Sequence, residues 1–260
     1  MAETPKLILL ATPIGNLDDV SLRLLETLKS LDALACEDTR HSSRLLERHG
    51  VARPKIFFAY HEHNEAKAAE RIVSLLREGH SVGLMSDAGT PGISDPGYRA
   101  VAAAAEAGFE VTALPGPNAA VMALTISGLP TSSFTFKGFA PKKSGQRKRF
   151  LEEDAESFHT MIFYESPRRV AEFLCDAVEV LGEDRPAAVC FELTKLYERV
   201  RRGSLGDLAG AFAAEEEPRG EAVIVVAPLD RKQAKEEARA AKKAAKRARY
   251  GLPPEEEPEA

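Results

Sequence analysis

The stretch "SDAGTPGISDPG" (86–97) stands between the apolar run "SVGLM" (81–85) and the alanine-rich "YRAVAAAAEAG" (98–108), where a βα unit needs only a short turn. Its twelve residues hold three glycines, two prolines and two aspartates. Glycine permits positive φ and close approach, and proline stiffens the chain before a ligand arrives, so this is main chain shaped to hold something. The flanks decide the fold. A continuous apolar run before the loop reads as a strand buried on both faces, and the segment after it reads as a helix.

The same alternation extends in both directions. Strands are expected at "KLILLATP", "DALACEDT", "KIFFAYH" and "EVTALPG", with helices at "SLRLLETLKSL", "RHSSRLLERHG" and "NEAKAAERIVSLLREG", the last with an Asn cap and a Gly stop. Helices between apolar strands predict a parallel sheet covered on both faces. The turn "PGPN" (115–118) marks a boundary, because two prolines around a glycine cannot lie in a helix or central strand. A second α/β half follows: helix "NAAVMALTISG", strand "FTFKGF", a basic link "APKKSGQRKR", strand "HTMIFYES", helix "RRVAEFLCDAVEVLG", and strands "PAAVCFEL" and "EAVIVVAP". The expected division is 1–116, 117–229 and a charged tail, 230–260.

Composition narrows the class. The chain has 260 residues, 44% of them hydrophobic, enough for two cores, and no run reaches the roughly 20 apolar residues of a membrane span. The start, "MAETPKLILLATPIG", lacks a basic region and cleavage site, so a cytoplasmic, soluble protein is expected. Cys36, Cys175 and Cys190 lie far apart in apolar segments, as buried free thiols would. Net charge is −5, yet residues 231–249 carry nine Lys or Arg against two Glu: an acidic body with a basic arm that could neutralise phosphates or form a solvated helix.

Open α/β sheets bind ligands beyond the carboxyl ends of their strands. Here those ends are "TPIGN", "CEDTR", "YHEHN", "SDAGTPGISDPG" and "LPGPNAA", all rich in turn or polar residues. Neither GxxxxGK[ST] nor a GxGxxG after the first strand is present, which argues against a P-loop or the usual dinucleotide fingerprint. Asp87 and Asp95 could hold Mg²⁺ with substrate phosphates, or Asp87 could cap the loop. His61 and His63 would share one side of a strand, but no third ligand has convincing spacing, so no metal is expected.

Taken in order, "TPIGNL", "EDTR", "HEHNE", "SDAGTPGISDPG", "LPGPNAA", "FYESPRR" and "ELTK" resemble the bacterial 16S ribosomal RNA (cytidine-2′-O)-methyltransferase I family, within the tetrapyrrole methylase superfamily; the resemblance spans about 6–228. It implies two α/β domains of the tetrapyrrole methylase type, a mixed second sheet, and S-adenosylmethionine in the cleft between them. It further implies methylation of a decoding-centre cytidine of 16S rRNA in the small ribosomal subunit, and a homodimer. Carried onto this chain, it implies cofactor contacts at Pro13, Ser86, Asp87, Ala88, Gly89, Thr90, Ile93, Ser94, Asn118, Ala119, Tyr164, Glu165, Thr194 and Ala222. Asn118 stands where the superfamily more often has Thr or Ser.

A ribose hydroxyl is a weak nucleophile, so placement and a neighbouring base or cation must supply the rate. Glu37, Asp38, Arg40, Glu165 and Lys195 are the candidates: Glu37 or Asp38 to take the proton, Lys195 to stabilise alkoxide. Ordinary pairing, such as Asp38 with Arg40, is the alternative use. For RNA, "KKSGQRKRF" offers Lys142, Lys143, Arg147, Lys148 and Arg149 beside Phe139 and Phe150, with Arg168, Arg169, Arg199, Arg201 and Arg202 as further donors. Two rivals remain, a tetrapyrrole methylase and a non-catalytic RNA-binding factor. The family commonly adds a small helical segment after the last strand, which this chain replaces with its charged tail.

Overall fold

A computed structural model describes residues 4–214 and 220–230; the basic arm lies outside the described residues. The first sheet contains β1 (Lys6–Leu10), β2 (Ala33–Cys36), β3 (Ile56–Ala59), β4 (Val82–Met85) and β5 (Glu110–Leu114), ordered β3-β2-β4-β1-β5. Every pair is parallel. β2 and β4 are buried along their whole length, which explains their unbroken apolar runs. Helices α1 (Leu22–Ser30) and α2 (Thr39–Arg48) cover one face through Leu24, Leu28, Leu45 and Leu46. Helices α3 (Glu65–Arg77) and α4 (Tyr98–Glu106) cover the other through Ile72, Leu76, Ala100 and Ala104.

Strand order sets the ligand position. The chain leaves β1 toward β2 on one side and leaves β4 toward β5 on the other, so the loops after β1 and β4 diverge from adjacent strands and leave a crevice. A two-way bridge pins those loops: Thr12 N donates to Gly89 O at 2.8 Å and Gly89 N to Thr12 O at 3.1 Å.

The second sheet contains β6 (Phe134–Phe139), β7 (Thr160–Glu165), β8 (Pro186–Phe191), β9 (Arg199–Ser204) and β10 (Ala222–Val226), ordered β6-β7-β10-β8-β9. Only β6 and β7 run parallel, so the sheet is mixed. Helix α5 (Ala119–Ser127) packs on one face with Ile162, Val223 and Val225. On the other face α6 (Ser144–Glu152), α7 (Val170–Leu181) and α8 (Leu205–Ala213) enclose Phe163, Phe173, Phe191 and Phe212. At about 1.5–3 kcal/mol per fully buried large apolar side chain, this aromatic cluster is a major source of the half's stability.

Several expectations change. The "basic link" is helix α6, and β9 with α8 had no place in the sequence reading. β9 reads "RVRRGS" because it is an edge strand, where charge discourages pairing with another chain. Its arginines are engaged locally: Arg199 lies over the Phe191 ring at 4.7 Å, Arg201 over Phe212 at 5.0 Å, and Arg202 Nε donates to Ser127 O at 3.0 Å. Asn64 precedes α3 but makes no side-chain cap; it ties the preceding turn to His61 N and Ala59 O instead. His61 and His63 lie in that turn rather than on a strand. Cys36 and Cys190 are buried, and burial pushes each thiol up to about 11, whereas Cys175 is exposed.

Candidate cofactor cleft and active site

A cleft of about 350 Å³ opens where the two sheets face each other. The first half contributes Ile14 and the loop residues Ala88, Gly89, Thr90, Ile93, Ser94 and Asp95; the second contributes Asn118, Ala119, Phe139, Tyr164, Glu165, Leu193, Glu221 and Ala222. A larger cavity of about 750 Å³, between Leu129, Phe158 and the turn after α7, contains none of the sequence-derived site residues.

The loop is built as its composition demands. Gly89 has φ +77°, and a Cβ there would meet Ile14 Cγ2 at 3.3 Å, so only glycine lets the chain pass under the first-strand loop. Thr90 Oγ1 donates to Pro117 O at 3.0 Å, tying the loop to the crossing between halves. Ser94, at φ +62°, holds a conformation costing about 1–3 kcal/mol for a non-glycine residue. The crossing itself is made rigid at the N-terminus of α5, where Asn118 accepts from Val121 N at 3.2 Å and Tyr164 Oη accepts from Ala120 N at 3.2 Å.

Glu165 is the cleft's most distinctive side chain. It is fully buried, and its Oε1 accepts from Ser166 N and Arg169 Nε, both at 2.7 Å. Its Oε2 has no hydrogen-bond partner among the described residues. A buried carboxylate oxygen without a donor costs on the order of several kcal/mol, so the geometry is suited to a ligand that brings one.

The remaining predicted residues take other places. Pro13, Ser86 and Asp87 border a separate small recess with His41 and Met85. Asp87 Oδ1 accepts from Asp38 N at 3.0 Å, and Glu37 Oε2 accepts from Asp87 N at 3.2 Å, so these groups join the ends of β2 and β4. Asp38 caps α2 and binds Arg40 in a fork, Nε at 3.1 Å and Nη2 at 2.6 Å, and those bonds hold its carboxyl well below the usual range. The pair that was a catalytic candidate is thus committed to itself. Thr194 Oγ1 accepts from Asn16 N at 3.1 Å, bridging the halves outside the cleft wall. Lys195 lies between Glu192 at 3.0 Å and Glu221 at 3.1 Å; burial opposes its charge, but those hydrogen bonds outweigh it and raise the pKa.

The basic tract divides. Arg147 is 1% exposed, with Nε donating to Asp176 Oδ2 at 2.7 Å and Nη1 to Lys142 O at 3.2 Å, so it is structural and corrects the RNA assignment. Lys148 pairs with Glu179 at 2.5 Å, and Arg169 with Glu165. Lys142, Lys143, Arg149 and Arg168 keep exposed positions.

Sequence reasoning did not place Phe139, Leu193, Glu221 or Asp95 in the cleft. Asp95 was visible in "SDPG" but read only as a metal ligand, while nothing in "RGEAV" marks Glu221. Asp95 is half-buried; burial first, then the charge of Glu37, pushes its carboxyl up to about 7 against a pull from the Ser86 hydroxyl, with Asp87 and Glu221 adding to the rise.

Comparison with known proteins agrees with this arrangement. A family model for tetrapyrrole (corrin/porphyrin) methylases matches residues 6–209. The chain is 51% identical to the ribosomal RNA small subunit methyltransferase I of Mesorhizobium japonicum over 88% of this chain and 77% of that one. It is 46% identical to the protein of that name from Halalkalibacterium halodurans over 85% and 75%. Among solved structures, the methyltransferase CobJ superposes with a TM-score of 0.62 at 18% identity over 87% of this chain and 95% of that one. The uroporphyrin-III-C-methyltransferase of Thermus thermophilus gives 0.57 at 20% over 86% and 93%. At those identities the structures speak for the fold alone. The two-sheet architecture, the family model and the relatives converge: the chain belongs to the ribosomal RNA small subunit methyltransferase I family of the tetrapyrrole methylases, and it is a methyltransferase.

Proposed function

We propose that the chain transfers the methyl group of S-adenosylmethionine to the ribose 2′-hydroxyl of a decoding-centre cytidine in 16S rRNA of the small ribosomal subunit. The observation that carries this reading is the cleft that joins the Ala88–Gly89–Thr90 main chain to a Glu165 Oε2 without a partner among the described residues. Such a site fits the donor. Main-chain amides and carbonyls at 88–90, the Asn118–Ala119 crossing and the Ala222 backbone would hold its methionine and adenosine parts, and Glu165 Oε2 would accept from one of its N–H or O–H groups. The donor, when bound, supplies an electrophilic methyl on a sulfonium whose positive charge disappears on transfer. A site that grips the rest of the donor through neutral main chain avoids overstabilising that cation in the ground state.

The relatives' name supports a small-subunit rRNA target. Lys142, Lys143, Arg149 and Arg168 would meet phosphates, which makes association salt-sensitive. We place the domain division at 116/117, where the chain passes from one sheet to the other. A homodimer in the cytoplasm completes the reading: exposed Tyr98, Val121, Leu196 and Tyr197 give apolar area for a second copy, and no helix among the described residues is long and apolar enough to cross a membrane.

The experiment is incubation of purified protein and methyl-labelled donor with small subunits lacking the modification, followed by mass-spectrometric mapping. Label on the 2′-oxygen of one decoding-centre cytidine is expected. Label on a base, on another RNA, or nowhere overturns the proposal.

A further inference from the structure

Among the described residues, three carboxylates line the cleft: Asp95, Glu165 and Glu221. Two are committed. Glu165 is fully buried, with Oε1 bound to Arg169 and Ser166 and Oε2 given above to an N–H or O–H of the methyl donor. Glu221 is 71% exposed and paired with Lys195. Asp95 alone is half-buried at the opening. Among the described residues, the charged groups that act on it are carboxylates, Glu37 from the end of β2, Asp87 from the end of β4 and Glu221 before β10, with the Ser86 hydroxyl and the Tyr164 phenol as neutral neighbours.

The surroundings suit an incoming nucleotide. Ile93, two residues before Asp95, is 39% exposed, and Phe139 is 58% exposed with its ring set edge-on to Tyr164 at 5.6 Å; both line the same cleft. Apolar and aromatic side chains at a cleft opening are a surface against which an unstacked base can lie. The left-handed turn at Ser94 keeps Ile93 and Asp95 both on the cleft wall.

We propose that Asp95 is the proton acceptor for the attacking ribose hydroxyl, a role that rests on the methyl-transfer reading above. In this step the 2′-O–H bond breaks and its proton passes to an Asp95 carboxylate oxygen. The freed electron pair forms the O–CH₃ bond, while the methyl–sulfur bond breaks with its pair left on sulfur, so the sulfonium co-substrate becomes a neutral thioether. Asp95 then releases the proton to water. Burial and the three facing carboxylates bring its proton affinity to about 7, where a base is both available and strong enough to help. Below that pH it is protonated and idle, so kcat/KM should rise through about pH 7. A bound sulfonium lowers Asp95's proton affinity, so the corresponding limb of kcat should lie at lower pH.

The test uses the full chain with Asp95→Asn and Asp95→Glu, undermethylated small subunits and labelled S-adenosylmethionine. Asp95→Asn should lower kcat by about 100-fold or more and abolish the acid limb, while donor affinity by calorimetry stays within about threefold. Asp95→Glu should restore part of the rate and keep a limb. In donor-free protein, carbon-13 NMR should show one carboxyl titrating near pH 7 that Asp95→Asn removes. A kcat within about threefold of wild type, an unchanged limb, or a donor affinity that falls as far as kcat overturns the assignment. If Asp95→Asn does not fold, the limb in wild type and Asp95→Glu decides, and its absence from both overturns the assignment. An inactive wild type would overturn the methyl-transfer reading itself, a failure distinct from an active wild type with an active Asp95→Asn.

Discussion

The loop at 86–97 and helix α6 are both dense in polar residues, and they meet the rest of the molecule in opposite ways. The loop presents main chain to the cleft: Gly89 passes beneath Ile14, Thr90 is tied to Pro117, and Ala88 needs no functional side chain to serve as wall. Helix α6 meets its neighbours through side chains, and Arg147 points inward onto Asp176 of α7. A site made of backbone depends on glycine and proline at particular places, which any reader of the chain can see. A charged side chain is a donor for a partner only if no internal partner has taken it, and α7, about thirty residues on, supplies that partner.

Arg147→Ala is the largest way to break this comparison. Leaving Asp176 buried without its partner should cost about 3–5 kcal/mol in denaturant unfolding, and Arg147→Ala with Asp176→Ala should recover part of it. A loss of rRNA affinity with unchanged stability would return Arg147 to the RNA surface. Next, Glu165→Gln should weaken S-adenosylmethionine binding about tenfold by calorimetry, because one ligand contact with a charged oxygen is lost. Unchanged affinity would reduce Glu165 to an anchor for Arg169.

A smaller effect concerns stability against pH. The folded-state proton affinity of Asp95 is raised from 3.8 to about 7, so folding favours its protonated form and wild type loses stability as pH climbs between those values. Asp95→Asn should therefore melt like wild type near pH 4 and be more stable above pH 7 by about 1–2 kcal/mol, less than the full shift because water reaches the group. Equal melts at both pH values would remove the desolvated carboxylate. The smallest effect belongs to the exposed end of α6: Lys142→Ala with Lys143→Ala should raise KM for subunits about three- to tenfold and shallow its salt dependence, leaving melting and donor affinity unchanged.

Legibility follows the same division. The first sheet was readable because its inner strands β2 and β4 are buried along their whole length and each helix carries its own stop or cap, as with Ser21 accepting from Leu24 N. β9 was not, because an edge strand made of arginines has neither alternation nor an apolar run. α6 was read as a link because only Arg147 and Leu151 of its nine residues are buried, too few to print a helical period. In the cleft, loop 88–94 and the Asn118–Ala119 crossing were visible from turn chemistry and resemblance. The commitment of Asp38 to Arg40, and of Thr194 to Asn16 across 178 residues, was not.

Local chemistry alone determined the alternating strands and helices and the stiff glycine-proline loop, because backbone sterics and hydrophobic period act over neighbouring residues. Tertiary structure decided which charges remain free: Arg147 was neutralised by Asp176 of another helix and Lys195 by Glu221 in addition to the nearby Glu192, while Asp95 was surrounded by carboxylates and left facing the cleft. Electrostatic energy depends on separation in space and on the water that burial excludes, and neither is fixed until the sheets have closed on each other.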